Sequence, residues 1–140
     1  MVQKMKRIVF LVVGILLLTA CGTSSSSSNS DSNAPLATVP AKYAGKTNPY
    51  GVEMAPEGDK LFQTNCQMCH GAQGHGDGPA GESLAPRPKN LSAFQKTVDD
   101  DYLLWRISEG KPGTSMVAWQ GILTEDQIWK IVSFIRTLKE

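Results

Sequence analysis

Hydrophobic residues recur at helical spacing most clearly near the C-terminus, in the segment LTEDQIWKIVSFIRTLK. Its apolar positions are Ile128, Ile131, Val132, Ile135 and Leu138. Thr124 precedes this run and Gln127 stands three residues later, which is the arrangement of a capping box. The pattern therefore predicts an amphipathic helix that begins after Thr124 and buries one face.

Two further segments have the character of helices. In DDDYLLWRISEGKPG, the acidic residues 99–101 favour a helix N-terminus through the helix dipole, and Gly110 and Pro112 provide the stop. We interpret this acidic cluster as a helix start rather than a metal site. The segment APEGDKLFQTN predicts a shorter helix that contains Gly58. Because a glycine inside a helix costs about 1 kcal/mol relative to alanine, we expect the C-terminal helix to cross close to it, with Phe62 between them.

The chain divides by composition into three parts. No segment alternates apolar and polar residues as a half-buried strand does, and the folded unit is predicted to span residues 53–140. Within residues 21–52, the stretch that begins at Gly22, GTSSSSSNSDSNAP, has nothing to bury and predicts a solvated tether. The second half of the tether contains prolines and tyrosines, and the sequence leaves open whether it lies on a protein surface.

The first 20 residues have the pattern of an export signal. Three basic residues lie among the first seven, the apolar run IVFLVVGILLL follows, and small residues come next. The alternative is a retained membrane helix, but the run is well short of the ~20 residues that span a bilayer. Leu18-Thr19-Ala20-Cys21 resembles the lipobox of bacterial lipoproteins, in which the cysteine becomes the lipidated first residue; the alternative for Cys21 is a free thiol.

A lipid on Cys21 would anchor the exported protein to a membrane, facing the periplasm or the cell exterior. Removal of residues 1–20 takes three of the 14 basic groups and none of the 13 acidic ones, which leaves a formal net charge of −2. No basic patch remains, so nucleic acid is a poor candidate partner.

The segment TNCQMCHGAQ contains the candidate binding residues, because Cys66, Cys69 and His70 form a Cys-x-x-Cys-His motif. A disulfide or thioredoxin-like redox pair is one alternative, but the strands of that fold are missing. Zinc is another, but only His75 remains as a fourth ligand once Cys21 is lipidated. The motif is instead that of covalent haem c attachment, in which two thiols reach the porphyrin vinyl groups and the adjacent imidazole reaches the iron.

The sixth iron ligand must come from elsewhere in the chain. Met116 lies in GKPGTSMVAWQG, a Gly/Pro-rich loop between two predicted helices, and such a loop can fold over the open face of a haem. Plain core filling is the alternative role for Met116. Met54 is a weak contender, Met68 lies inside the attachment loop on the wrong side of the ring, and His75 is interpreted as an exposed loop histidine. A His/His site would have a lower reduction potential than a His/Met site.

Together these motifs resemble monohaem class I cytochromes c of the bacterial subgroup with the pattern CxxCHGxxGxGDGP. The corresponding residues run from Cys66 to Pro79, and GKPGTSMVAW is similar to the family's methionine loop. The resemblance implies an all-α fold of three to five helices around one haem c. It also implies His70 as the proximal ligand and Met116 as the distal ligand.

The resemblance further implies that a proline carbonyl orients His70, with Pro79, Pro86 and Pro88 as candidates. Arg87, like Lys89, is a possible partner of a haem propionate. Trp105 and Trp119 could also bind a propionate, although core packing is the preferred interpretation of both.

With both axial positions filled, the iron has no site for a small-molecule substrate, so we expect a one-electron carrier rather than an enzyme. Its expected partners are membrane redox complexes of a respiratory or photosynthetic chain. It would serve them as a mobile carrier or as a fixed subunit, as in the alternative complex III family. If Met116 does not bind the iron, a gas sensor or a peroxidase is the competing interpretation.

Overall fold

The computed structural model describes residues 35–140, which form an all-helical fold without β-strands in that range. Its five α-helices are α1 (Ala55–Asn65), α2 (Gln67–His70), α3 (Leu91–Phe94), α4 (Asp100–Glu109) and α5 (Glu125–Ile135). Single 3₁₀ turns lie at Val52–Met54, Gly81–Ser83 and Gln95–Thr97. None of the helices described here has both the length and the apolar character needed to cross a membrane.

Helix α5 forms as its sequence predicts. The Thr124 hydroxyl accepts a hydrogen bond from the Gln127 amide at 3.2 Å, and the Gln127 side chain accepts one from the Thr124 amide at 2.9 Å. This capping box satisfies two amides that the start of a helix otherwise leaves unpaired. The apolar face of α5 supplies much of the core, whose buried hydrophobic members are Tyr43, Ala55, Phe62, Leu103, Leu104, Trp105, Ile107, Ile128, Trp129, Ile131, Val132, Ile135 and Leu138.

Helices α1 and α5 cross at Gly58, as the sequence predicts. A Cβ atom at position 58 would overlap the backbone carbonyl of Lys130 and lie 3.0 Å from the Cβ of Phe134. Phe62, one turn further along α1, is 1% exposed, and its ring centroid lies 5.1 Å from that of Phe134. Burial of an aromatic side chain of this kind contributes roughly 1.5–3 kcal/mol. The glycine therefore sets how closely the two helices pack.

Helix α4 begins at the acidic cluster and ends at Gly110, which adopts a φ of 67° that favours glycine. The acidic residues do more than complement the helix dipole. The carboxylate of Asp100 forms a half-buried ion pair with Arg136 at 2.7 Å. The Arg136 guanidinium also donates to the carbonyl oxygens of Gln95 and Val98, so it ties the start of α4 to the end of α5.

A segment before residue 53, which we call the strap (residues 39–50), packs onto the helices. Tyr43 is 3% exposed within the core. The side-chain amide of Asn48 donates to the Trp129 carbonyl at 3.1 Å and to the Ser133 hydroxyl at 2.9 Å. The sequence assigned these residues to the tether and left open which surface they follow; they lie on the protein's own domain, so the folded unit begins before residue 53.

We predict that Gly58→Ala destabilises the haem-loaded protein. The new methyl group meets backbone atoms of α5 that cannot rotate away, and such overpacking costs about 1–3 kcal/mol, more than the roughly 1 kcal/mol gained in helix propensity. The free energy of unfolding would be measured in guanidinium by circular dichroism. Lys60→Ala, at an exposed position of α1, is the control and should change it by less than about 0.5 kcal/mol. A Gly58→Ala protein as stable as the parent would contradict this account of the crossing.

Candidate haem-attachment site

The motif residues 66–70 lie where α1 ends and α2 begins. The Cys66 amide donates to the Phe62 carbonyl at 2.8 Å, which is the last bond of α1. The Cys66 carbonyl accepts bonds from the Cys69 amide at 3.2 Å and the His70 amide at 2.9 Å. Cys66 therefore joins the two helices, and one turn of chain presents both thiols and the imidazole.

The carbonyl end of α2 is enclosed by the glycine-rich segment that follows it. A helix end leaves up to four carbonyl groups without intrahelical partners. Here amides of residues 71–80 satisfy all four, through the bonds Gly71 to Gln67, Ala80 to Met68, Gly78 to Cys69 and Gly76 to His70, at 2.8, 2.9, 3.3 and 2.8 Å. The loop thus fixes the turn that carries the thiols and the imidazole.

Glycine is required at two positions in and just after this segment because there is no room for a side chain, not because of the backbone conformation. A Cβ atom at Gly78 would overlap the carbonyl oxygens of Gln67 and Met68, and one at Gly81 would overlap that of Cys69. Neither residue has a positive φ, so the constraint is the close approach of two backbones. This is the physical reason for glycine at positions 78 and 81.

His70 presents a neutral and unpaired imidazole. Its buried Nδ1 atom has no hydrogen-bond partner, and its ring lies 6.5 Å from that of Phe62. Burial lowers the pKa of His70, while a contact with the backbone of Lys89 raises it. That contact does not meet the distance and angle of a full hydrogen bond, so burial dominates and favours the neutral form that binds metals.

The backbone of Lys89 raises the pKa of this imidazole, and which of the three prolines orients His70 stays a prediction. Lys89 directly follows Pro88, whose own carbonyl oxygen instead faces Gly76.

The two cysteines carry free, half-buried thiols. Burial raises the pKa of the Cys66 thiol to about 12, and the neighbouring Cys69 adds to the rise. Thioredoxin-like pairs depend on a lowered pKa and a thiolate at neutral pH. The environment of Cys66 therefore disfavours thiol–disulfide exchange as the purpose of this pair.

Met116 lies in a loop that we call the methionine loop (residues 110–123). The Met116 carbonyl accepts a bond from the Lys111 amide at 3.0 Å, and its amide donates to the Thr114 hydroxyl at 3.2 Å. Further along, the amides of Trp119 and Gln120 donate to carbonyl oxygens at the end of α4, at 3.1 and 3.0 Å. The loop therefore folds back on α4 and holds Met116 in a half-buried position.

The remaining candidates lie in different environments. His75 and Met68 are exposed, and Met54 is half-buried just before α1. Arg87 is exposed, and its Nη2 donates to the Glu82 carbonyl at 3.3 Å. The indole of Trp105 donates to the Glu109 carboxylate at 2.8 Å from a buried position, which agrees with core packing.

The sequence of residues 55–139 matches the profile of the Cytochrome c family. The chain belongs to the cytochrome c family. Membership implies a covalently bound haem c. It also agrees with the all-helical fold described above.

Two similar proteins illustrate the relationship. Cytochrome c55X of Stutzerimonas stutzeri is 34% identical over 77 residues, which cover 53% of this chain and 58% of that protein. A chain in the solved structure of the reducing HAO-like protein complex of Kuenenia stuttgartiensis is similar in fold, with a TM-score of 0.58 and 20% identity over 76% of this chain and 50% of that one. This cytochrome c therefore spans between half and three fifths of the lengths of these two proteins.

The residues of this cytochrome c fit haem c. Cys66 and Cys69 are free thiols on one helical turn, as the covalent attachment requires. The side chain of His70, beside them, makes no hydrogen bond to any residue in the range 35–140 and is therefore available to the iron. A buried side-chain nitrogen without a partner is rare in folded proteins, which makes this imidazole a candidate ligand rather than an ordinary core residue.

We predict that Gly78→Ala destabilises the haem-loaded protein by about 1–3 kcal/mol, because its methyl group would push the glycine-rich segment away from the carbonyl end of α2. The measurement is guanidinium unfolding followed by circular dichroism and haem absorbance. His75→Ala, an exposed position in the same loop, is the control and should leave both stability and spectrum unchanged. Equal stability of the two variants would show that the close approach at Gly78 is not a constraint.

Proposed function

We propose that this cytochrome c is a membrane-tethered monohaem carrier of single electrons. Cys66 and Cys69 would form the thioether bonds, His70 would be the proximal iron ligand, and Met116 would be the distal one. The observation that carries the proposal is the single turn in which both free thiols lie beside an imidazole whose buried Nδ1 has no partner within the described residues. Haem c supplies a reversible one-electron couple when bound, and His/Met ligation raises its reduction potential.

The two proposed iron ligands are held in different ways. His70 lies in α2, whose carbonyl end is fully hydrogen-bonded, so its backbone position is fixed by short-range contacts. Met116 lies in a loop whose C-terminal half is held against α4 by the backbone hydrogen bonds of Trp119 and Gln120. A thioether on such a loop can occupy the open axial position, and its flexible side chain adapts to the ring.

Arg87 remains a proposed partner of a haem propionate. Its single hydrogen bond within the described residues goes to a carbonyl oxygen, and no carboxylate lies within ion-pair distance there. A guanidinium has five N–H donors, so the others remain available to a carboxylate. Its exposed position in the loop before α3 suits a group that lies at the edge of the cofactor.

The membrane tether rests on the sequence, because Cys21 and the export signal lie outside the described residues. The proposed lipid on Cys21 would confine the domain to a membrane outside the cytoplasm, with redox complexes of that membrane as its partners. Confinement raises the local concentration of the carrier at those partners without any additional contact. As a fixed subunit, it would instead remain with its complex in mild detergent.

We predict that Met116→Ala removes the weak far-red sulfur-to-iron absorption band of the ferric protein and allows the ferrous protein to bind carbon monoxide. The band depends on a thioether bound to iron, and removal of the thioether opens the axial position. Met54→Ala and Met68→Ala are matched controls that should retain the band. A parent protein that lacks the band and binds carbon monoxide would instead support an open iron and a sensor or peroxidase.

We predict that Cys21→Ser moves the haem-loaded protein from the membrane fraction to the soluble fraction without a change in its spectrum. The substitution removes the thiol that would carry the lipid, while the haem domain begins well after it. The measurement is fractionation of expressing cells, followed by haem staining and detection of acyl chains by mass spectrometry. An unmodified Cys21 in the parent protein would disprove the lipid anchor and leave the haem chemistry intact.

A further inference from the structure

The strap contacts residues near both ends of the methionine loop. At the start of the loop, Lys42 forms an ion pair with Glu109 at 2.9 Å. At the end of the loop, the Tyr43 hydroxyl donates to the side-chain carbonyl of Gln120 at 3.3 Å. Three residues of strap further on, Lys46 pairs with Glu125 in the first turn of α5 at 2.9 Å. One short segment therefore bridges the two ends of the loop that carries Met116.

Tyr43 is the most buried of the three strap residues that make these contacts. The two lysine pairs lie at exposed or half-exposed positions, where ion pairs contribute little to stability. Tyr43 is 3% exposed and belongs to the main core, and the ammonium group of Lys42 lies 4.7 Å from its ring centroid. Its ring is therefore fixed by packing, which holds its hydroxyl at a defined place beside Gln120.

The rest of the strap is attached to rigid elements. Asn48 donates from its side chain to α5, and its amide donates to the Asp100 carboxylate at 3.2 Å. The Gly45 amide donates to Asp101 at 2.9 Å, so the strap is also bound to the start of α4. A segment fixed in this way to two helices provides a stationary support for the loop.

The loop needs such a support at its C-terminal half. Between Met116 and α5, its backbone contacts to α4 are the two bonds from Trp119 and Gln120. The Tyr43 hydroxyl binds the side chain of that same Gln120. An open cleft, lined by Tyr43, Lys46, Ser108 and Gly121 among others, lies beside this contact, so the hydroxyl is a discrete link rather than part of a continuous packed surface.

We propose that the strap is a clamp that keeps the methionine loop closed, with Tyr43 as a positioning residue that acts on Met116 through Gln120. The contacts that hold the loop closed involve only residues in the range 35–140. The consequence of closure for iron ligation rests on the proposed function, because it requires Met116 to be the distal ligand. Loss of the clamp makes displacement of Met116 by an external ligand easier.

The test is titration of the full-length ferric holoprotein with imidazole, which competes for the distal position and abolishes the far-red band. Tyr43→Phe keeps the buried ring but removes the hydroxyl. One hydrogen bond of ordinary net strength corresponds to a roughly two- to tenfold rise in apparent imidazole affinity. Tyr50→Phe is the matched control, because it removes a strap hydroxyl that binds Asp126 in α5 rather than the loop. It should leave imidazole affinity unchanged.

A second variant separates the clamp from a general loss of stability. Gln120→Ala removes the acceptor, so Tyr43→Phe should have little further effect on imidazole affinity in its presence, as expected for two residues that act through one contact. Equal imidazole affinity of Tyr43→Phe and Tyr50→Phe would overturn the clamp and leave the proposed function standing. Additive effects of Tyr43→Phe and Gln120→Ala would overturn it in the same way.

Absence of the far-red band from the parent protein would disprove Met116 as ligand, which is a failure of the proposed function. Amide hydrogen exchange at Lys111, Trp119 and Gln120 then tests the clamp by itself, since these amides donate the bonds that hold the loop. Faster exchange in Tyr43→Phe than in Tyr50→Phe supports the clamp. Equal exchange in the two variants overturns it.

Discussion

The close approach of α1 and α5 at Gly58 is the constraint on which the haem-attachment site depends. The missing side chain lets the backbone of α1 reach the Lys130 carbonyl, and Phe62 fills the space one turn later. The amide of Cys66 bonds to the carbonyl of that same Phe62. The position of the first thiol relative to the core is therefore fixed by a helix crossing eight residues before it in sequence.

Short-range hydrogen bonds of backbone groups also determine the structure on the other side of the site, at the carbonyl end of α2. A four-residue helix such as α2 has little stability by itself, because nucleation of a helix is costly. The glycine-rich segment supplies an amide for each of its last four carbonyl groups, and it can do so only where side chains are absent. The sequence of this glycine-rich segment is polar and irregular, but its hydrogen bonds stabilise α2.

The strap changes how the N-terminal region is understood. Its composition is polar and proline-containing, which by itself indicates a solvated linker. Two positions, the buried Tyr43 in the core and the half-buried Asn48 side chain against α5, are enough to attach it. Single anchors of this kind carry no periodic pattern. Their partners lie more than 70 residues away, so they cannot be recognised from the sequence.

The sequence by itself determined the helices at 100–109 and 125–135, the crossing at Gly58 and the haem-binding motif, because each depends on residues close together in the chain or on a steric requirement unique to glycine. Tertiary structure alone decided that the strap belongs to the domain and that Gln120 links the methionine loop to Tyr43. These contacts join residues distant in sequence, and their geometry follows from how the helices pack rather than from any local pattern.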